Sequence, residues 1–214
     1  MDYQKAVAKS LLTIGAVGFA PQNPITFKSG IKSPVYVDNR KFPFHPSQWK
    51  VVIQGFSNLI KEKGLHPDVI AGVEAAGIPH SAALGFFMDK PSIFVRKKAK
   101  DHGTKSMVEG GKVEGLRVVL IEDLVTTGGS SLASVESLRK EGAQVNDCLV
   151  IVSYGFRQAR DAFAKANVKL HTLTTFPIIL EEALAMGKFS QEEKAIIEDW
   201  LAEPYGWAKR QGLE

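Results

Sequence analysis

The 214-residue sequence lacks the features that mark disulfide-bonded, membrane or nucleic-acid-binding proteins. It has a single cysteine, so an internal disulfide is excluded, and the apolar run CLVIV around Cys148 predicts a core residue rather than a nucleophile. No apolar run approaches the roughly 18 residues of a membrane span, and the first residues, MDYQKAVAKS, lack the apolar part of a secretory signal. The net charge of +4 suits small anionic ligands but is too modest to indicate nucleic acid. We therefore expect a cytoplasmic protein with no membrane and no nucleic-acid partner.

The most informative stretch covers residues 118–131, VVLIEDLVTTGGSS. Its apolar start predicts a buried strand ending at Ile121, and two acids, Glu122 and Asp123, follow directly. The small-residue loop 126–130 then leads into a helical pattern. Ligands bind at the carboxyl ends of strands in open α/β sheets, and backbone N–H groups of such a loop can hold a phosphate. The acids suit sugar hydroxyls or a bridging cation, so the residues predict a site for a ribose 5-phosphate.

Strand and helix patterns alternate along most of the chain. Strands are predicted at residues 68–73, 92–95, 117–121, 145–152 and 169–174, and helices at 2–17, 46–61, 78–88, 131–140 and 158–166. Such alternation predicts a mainly parallel sheet covered by helices on both faces. Residues 24–39 predict two short extended pieces around a Ser-Gly turn.

Residues 118–131 resemble the phosphoribosyl-diphosphate (PRPP) motif of the type I phosphoribosyltransferases, with an acidic pair followed by Thr-Thr-Gly-Gly-Ser. No Gly-Lys-Ser/Thr follows, so the stretch is not a Walker loop. The resemblance implies the α/β type I phosphoribosyltransferase fold, a mainly parallel twisted sheet flanked by helices. It further implies an N-terminal cap segment (1–40), a PRPP-binding core (41–179) and a helical tail (180–214), which could join the cap. The implied PRPP-binding residues here are Glu122, Asp123, Leu124, Val125, Thr126, Thr127, Gly128, Gly129 and Ser130.

The polar loop 96–113, RKKAKDHGTKSMVEGGKV, contains the pattern R-K-x-x-K-x-H-G. This pattern is similar to the mobile catalytic loop of the orotate phosphoribosyltransferases, which closes over the pyrophosphate of PRPP, often from the neighbouring subunit. A loop of this length in a compact domain is more often functional than structural. The resemblance adds the PRPP-binding residues Arg96, Lys97, Lys100 and His102, and makes Lys100, His102 and Asp123 the implied catalytic residues.

Residues 27–38, FKSGIKSPVYVD, resemble the signature K-S-G-x-x-S-P-x-Y of the same family. The resemblance implies that Lys28 reaches the pyrophosphate or the base, and that Tyr36 helps to form the base pocket. Thr126 lies where the family places a hydroxyl against orotate. Arg157, in Gly-Phe-Arg-Gln-Ala-Arg, lies where the family places an arginine for the orotate carboxylate, and a guanidinium fork suits that group.

One position departs from the family pattern. Some members have a pyrophosphate-binding lysine after the first strand of the sheet, and the matching position here is Ala76. We expect that contact to be absent or made by backbone amides, with Lys28 or Lys97 carrying more of the charge.

Together the motifs imply transfer of the phosphoribosyl group of PRPP to orotate. Mg²⁺ is the implied cofactor, bound mainly through PRPP with no direct protein ligand. The implied partners are orotate, PRPP and a second copy of the chain, in a homodimer whose 96–113 loop acts on the neighbouring site. Two alternatives stay open. A phosphoribosyltransferase for a purine or uracil would not need Arg157, and a PRPP-sensing regulator that binds nucleic acid would be expected to show a basic patch.

Overall fold

A six-stranded sheet organises the chain, of which the computed structural model describes residues 2–27, 29–98 and 106–213. The described strands are β1 (Val17–Phe19), β2 (Ile25–Thr26), β3 (Lys32–Ser33), β4 (Val35–Val37), β5 (Val69–Val73), β6 (Ser92–Val95), β7 (Val108–Glu109), β8 (Arg117–Val125), β9 (Gln144–Ser153) and β10 (Lys169–Thr175). The sheet order is β10-β9-β8-β5-β6-β7, and only β7 runs antiparallel to its neighbour. The predicted, mainly parallel α/β sheet is therefore confirmed.

Helices cover both faces of this sheet. They are α1 (Tyr3–Thr13), α2 (Pro46–Glu62), α3 (Gly77–Met88), α4 (Gly129–Lys140), α5 (Arg157–Lys165), α6 (Phe176–Ala185), α7 (Gln191–Ala202) and α8 (Trp207–Arg210), with a 3₁₀ turn at Asn39–Phe44. Side chains alternate along β8, so that Val119 and Ile121 join the core under α1, α2, α3 and α6, whereas Val118 and Leu120 join the core under α4 and α5. Two separate apolar cores thus hold the sheet from opposite sides. None of the described helices has the length and apolarity needed to span a bilayer.

Strand β8 extends four residues beyond the predicted end at Ile121. Glu122 and Leu124 keep pairing with Val150 and Val152 of β9, because the neighbouring strand continues the hydrogen-bonding ladder past the apolar run. The predicted boundary was therefore wrong, and both acids lie inside the strand. Helix α4 likewise begins two residues earlier than the helix predicted at 131–140.

Two small antiparallel pairs stand apart from the main sheet, β1 with β4 and β2 with β3. The β2–β3 hairpin is the predicted pair of extended pieces, and Gly30 in its turn has a φ of +84°, which favours glycine. Phe27 of this hairpin contacts Tyr154, next to the carboxyl end of β9, and Trp200 of α7. The hairpin and helix α7 thus meet beside the carboxyl end of β9, and the division into cap, core and tail at residues 40 and 179 stays a prediction.

Candidate active site

The loop between β8 and α4 lines an open pocket of about 360 Å³. Gly128 has a φ of +86°, and a Cβ atom there would lie 2.7 Å from Cε2 of Phe163, so both backbone conformation and space require glycine. Helix α4 begins at the next residue, and the first N–H groups of a helix have no partner within it. These features fit an anion. The residues that line the pocket are Phe27, Ser29, Leu124, Val125, Thr126, Thr127, Gly128, Gly129, Ser130 and Ser131.

The carboxyl group of Glu122 is buried and is held by the start of α4. The hydroxyls of Ser130 and Ser131 donate to its Oε2 at 3.1 and 3.2 Å, and the N–H of Asp123 donates to its Oε1 at 3.1 Å. Burial, and next the negative charge of Asp123, raise the pKa of Glu122 to about 8. Through its hydrogen bonds with Ser130 and Ser131, Glu122 therefore holds the end of the loop 126–130 and the start of α4 against β8.

Asp123, the next residue of the same strand, is less buried than Glu122. It is half-buried, and its backbone carbonyl accepts a 2.9 Å hydrogen bond from Nδ2 of Asn39, a buried residue of the 3₁₀ turn. Burial raises the pKa of Asp123, while hydrogen bonds from Glu122 and the Leu124 N–H, and the charge of Arg40, act against that rise. Burial raises both pKa values, but the surroundings differ: the Glu122 carboxyl is buried against the serines of α4, whereas the Asp123 side chain is only half-buried. Asp123 is the one suited to a cationic or hydroxyl-bearing ligand.

The raised pKa of Glu122 gives a testable pH dependence of stability. Between about pH 4.5 and 8 the unfolded chain loses the Glu122 proton while the folded chain keeps it, so the free energy of unfolding falls as pH rises. Glu122→Gln cannot ionise, and its stability relative to the wild type is expected to grow across this window, by at most ~1.4 kcal/mol per pH unit. Urea unfolding at pH 5, 6, 7 and 8 measures it. Glu136→Gln, at an exposed position of α4, is the matched control. Parallel curves for the wild type and Glu122→Gln would contradict the assignment.

The start of the 96–113 loop is tied to the sheet edge. The N–H of Arg96 donates to the carbonyl of Met107 at 2.8 Å, and Nη1 of Arg96 lies 3.6 Å from Oε1 of Glu109. The N–H of Lys97 donates to Oε2 of Glu74 at 2.7 Å, next to the cis peptide between Glu74 and Ala75. The side chain of Lys97 is exposed. Lys28, Lys100 and His102 lie outside the described residues, so their predicted roles stay predictions.

The predicted base-binding residues are not all gathered at the pocket. Thr126 lines it, although its role against orotate stays a prediction, and the described lining residues do not include Tyr36 or Arg157. The ring of Tyr36 lies over Gly18, where an added Cβ would come within 2.0 Å of it. The side chain of Arg157 is 87% exposed at the start of α5 and pairs with Asp161 at 3.5 Å. The roles of Tyr36 and Arg157 therefore stay predictions, and Arg157 is free to reorient toward a ligand.

Three residues of the site were assigned no role from the sequence. Phe27 belongs to the motif at residues 27–38 and Ser131 to the motif at 118–131, so their position next to the candidate residues could have indicated a role in the site. Asn39 had no such signal, because it supports Asp123 across 84 residues of sequence. Cys148 is fully buried and its pKa is raised by burial, which agrees with the predicted core role.

Comparisons with known proteins agree with this geometry. Residues 45–177 match the family model described as a phosphoribosyl transferase domain. The orotate phosphoribosyltransferase of Listeria innocua is 40% identical over 98% of this chain and 100% of its own, and that of Phocaeicola vulgatus is 40% identical over 95% and 96%. The solved orotate phosphoribosyltransferase of Aeropyrum pernix superposes with a TM-score of 0.74 at 33% identity, covering 86% of this chain and 99% of that one. The chain therefore belongs to the phosphoribosyltransferase family, on its orotate phosphoribosyltransferase branch.

Proposed function

We propose that this chain transfers the 5-phosphoribosyl group of PRPP to orotate, giving orotidine 5′-phosphate and pyrophosphate in the cytoplasmic synthesis of pyrimidine nucleotides. One observation carries the proposal: the pocket on the β8–α4 loop adjoins an acidic pair, in a chain similar over nearly its whole length to orotate phosphoribosyltransferases. The loop suits the 5′-phosphate, and Asp123 suits the ribose hydroxyls.

The two ends of PRPP require two anion sites. The loop Thr126–Ser130 is assigned to the 5′-phosphate, and the 96–113 loop with Lys28 to the pyrophosphate. As the bond from C1 to the pyrophosphate oxygen breaks, the ribose gains oxocarbenium character and the leaving group gains negative charge. Asp123 stabilises the cationic sugar and the lysines stabilise the leaving group, and such contacts accelerate the reaction because they strengthen in the transition state.

We infer that Mg²⁺ is bound mainly through PRPP, as the family resemblance implies. Among the described residues no group of three or more His, Cys, Asp or Glu side chains is arranged to hold a metal ion. Mg²⁺ prefers carboxylate, phosphate and water oxygens, and PRPP brings phosphate oxygens of its own. When bound, the ion would neutralise part of the pyrophosphate charge. Asp123 is assigned to orient the ribose to which the pyrophosphate is attached.

A direct assay distinguishes the proposal from its alternatives. Purified protein is mixed with PRPP and Mg²⁺ and, separately, with orotate, uracil or hypoxanthine, and pyrophosphate release is followed. Of the three bases, we expect only orotate to be turned over. Turnover with uracil or hypoxanthine instead would assign the chain to another base, and binding of PRPP without turnover of any base would support a regulator.

Arg157 gives a prediction about base selectivity. Arg157→Ala is expected to weaken orotate binding about tenfold, because a hydrogen bond to a charged group contributes ~1.5 kcal/mol, and to leave PRPP binding unchanged. Calorimetry with each ligand separately measures both effects. Arg160→Ala is the matched control, since Arg160 lies on the same helix but donates to the carbonyl of Gly155. Equal losses for orotate and PRPP would make Arg157 structural.

The proposed enzyme is a homodimer in which the 96–113 loop acts on the neighbouring site. An apolar surface on α3 supports this proposal. Its sequence, GIPHSAALGFFM, has no charged residue, and Phe86 and Phe87 are 93% and 53% exposed. A helix that is apolar all round is normally covered, and exposed patches of this kind mark association sites. Phe86 and Phe87 lie at the end of α3 that packs beside Ser92, the first residue of β6, so a second copy on this surface would pack next to the amino end of that strand.

A further inference from the structure

The β2–β3 hairpin, which supplies Phe27 and Ser29 to the pocket wall, has little support of its own. Among its described residues, the strand pairing covers two positions, followed by one further backbone bond from the N–H of Phe27 to the carbonyl of Ile31, and both residues of β2 are exposed. An isolated two-stranded hairpin is marginally stable in water. The position of this wall must therefore be fixed by other parts of the chain.

Helix α7 in the C-terminal tail supplies one such contact. The indole of Trp200 is fully buried, and its Nε1–H donates a 2.9 Å hydrogen bond to the carbonyl of Lys32 in β3. The rings of Trp200 and Phe27 meet edge to face, with their centroids 6.1 Å apart. Trp200 thus contacts both sides of the hairpin: it donates a hydrogen bond to Lys32 in β3, and its ring packs against Phe27, which follows β2.

The end of the tail supplies a second contact, and the sheet supplies the anchor. Nζ of Lys32 donates to the carbonyl of Leu213 at 2.9 Å, across 181 residues of sequence. Trp200 also packs edge to face on Tyr154 and Phe156, which follow the carboxyl end of β9, at centroid distances of 5.2 and 5.4 Å. The tail is therefore fixed to the sheet on one side and holds the hairpin on the other.

We propose that Trp200 is a positioning residue for base binding, holding the hairpin against the pocket through the carbonyl of Lys32. The inference rests on the proposed function and extends it to the C-terminal tail. Phe27 and Ser29 share the pocket with the phosphate loop, but the backbone of that loop is held by β8 and α4. Loosening the hairpin should therefore weaken base binding and leave a ligand held by the N–H groups of the phosphate loop unaffected. Ribose 5-phosphate, which lacks both base and pyrophosphate, is a probe of that loop.

The tail contains a matched control. Trp207 is also fully buried, but its Nε1 has no hydrogen-bond partner among the described residues. Trp200→Phe and Trp207→Phe remove the same atoms from two buried sites, and only the first removes a bond to the hairpin. We expect Trp200→Phe to raise the KM for orotate roughly three- to tenfold, as loss of one hydrogen bond implies, with the Kd for ribose 5-phosphate unchanged. Trp207→Phe should change neither constant.

Two results would overturn the proposal: an equal rise in the orotate KM for both variants, or a parallel loss of ribose 5-phosphate affinity in Trp200→Phe. If Trp200→Phe does not fold, replacement of Trp200 by β-(3-benzothienyl)alanine decides, because this sulfur analogue keeps the bicyclic ring and removes only the N–H donor to the Lys32 carbonyl. A higher orotate KM with unchanged ribose 5-phosphate binding supports the proposal, and an unchanged KM overturns it. If the wild type uses another base, the proposed function fails, and the same comparison is made with that base.

Discussion

Asp123→Asn is expected to lower kcat by about 10²–10³ while leaving the fold intact, because one oriented electrostatic contact to the transition state is lost. The substitution keeps the shape of the side chain and removes its charge. The backbone bond from Asn39 to the carbonyl of Asp123 does not depend on that charge, so the strand should stay in place. The loss should therefore fall on catalysis rather than on stability.

The measurement is the turnover rate with saturating PRPP, accompanied by a thermal unfolding curve. Asp147→Asn is a suitable control, because Asp147 is a partly buried carboxylate on the neighbouring strand β9, and it pairs with His171 at 2.7 Å, away from the pocket. We expect the control to keep its turnover. Near-wild-type turnover of Asp123→Asn would remove Asp123 from the site.

The architecture was predictable because its signal is local. Each buried strand is an apolar run, and each helix that follows repeats apolar residues at helical spacing, so their alternation defines a parallel sheet with two covered faces. The tight turn of the glycine-bearing loop 126–130 was predictable for the same reason, and Gly128 has a positive φ that favours glycine, whereas its close approach to Phe163 was not predicted.

The separation of the acidic pair was not predictable from the apolar pattern. That pattern ends at Ile121, whereas the strand continues because β9 offers further backbone partners. Inside a strand, successive side chains point to opposite faces, so Glu122 turns to the serines of α4 while Asp123 turns away. The sequence therefore assigned both acids to the ribose, and the structure gives them different surroundings.

Contacts between distant parts of the chain were equally inaccessible to motif reasoning. Asn39 with Asp123, and Trp200 with Lys32, join residues 84 and 168 positions apart. Nothing in the local pattern of either partner indicates the other. The tail carried no family motif, and its contact with the hairpin emerges only once the fold brings both to the end of β9.

Mixing two inactive variants is expected to restore activity if the active site is shared between subunits. Lys100→Ala removes a charge of the 96–113 loop, and Asp123→Asn removes the ribose contact; each homodimer should be nearly inactive. A mixed dimer with a shared site holds one site with both lesions and one with neither. Random mixing of equal amounts makes half of the dimers mixed, so co-expression should recover roughly a quarter of wild-type activity.

The arrangement within one chain predicts the opposite result. If each loop closes over its own site, every site in a mixed dimer carries one lesion, and co-expression restores nothing. Different affinity tags on the two variants allow mixed dimers to be isolated before the assay, and recovery per isolated mixed dimer should then approach half of the wild-type value, since one of two sites is intact. Inactive mixed dimers would rule out the shared site but leave Asp123 and the phosphate loop in their roles. The anchoring of Arg96 to Met107 and of Lys97 to Glu74 fixes where the loop departs, at the carboxyl end of β6. If the site is shared, dissociating the dimer should also remove activity, because each loop then loses the site on which it acts.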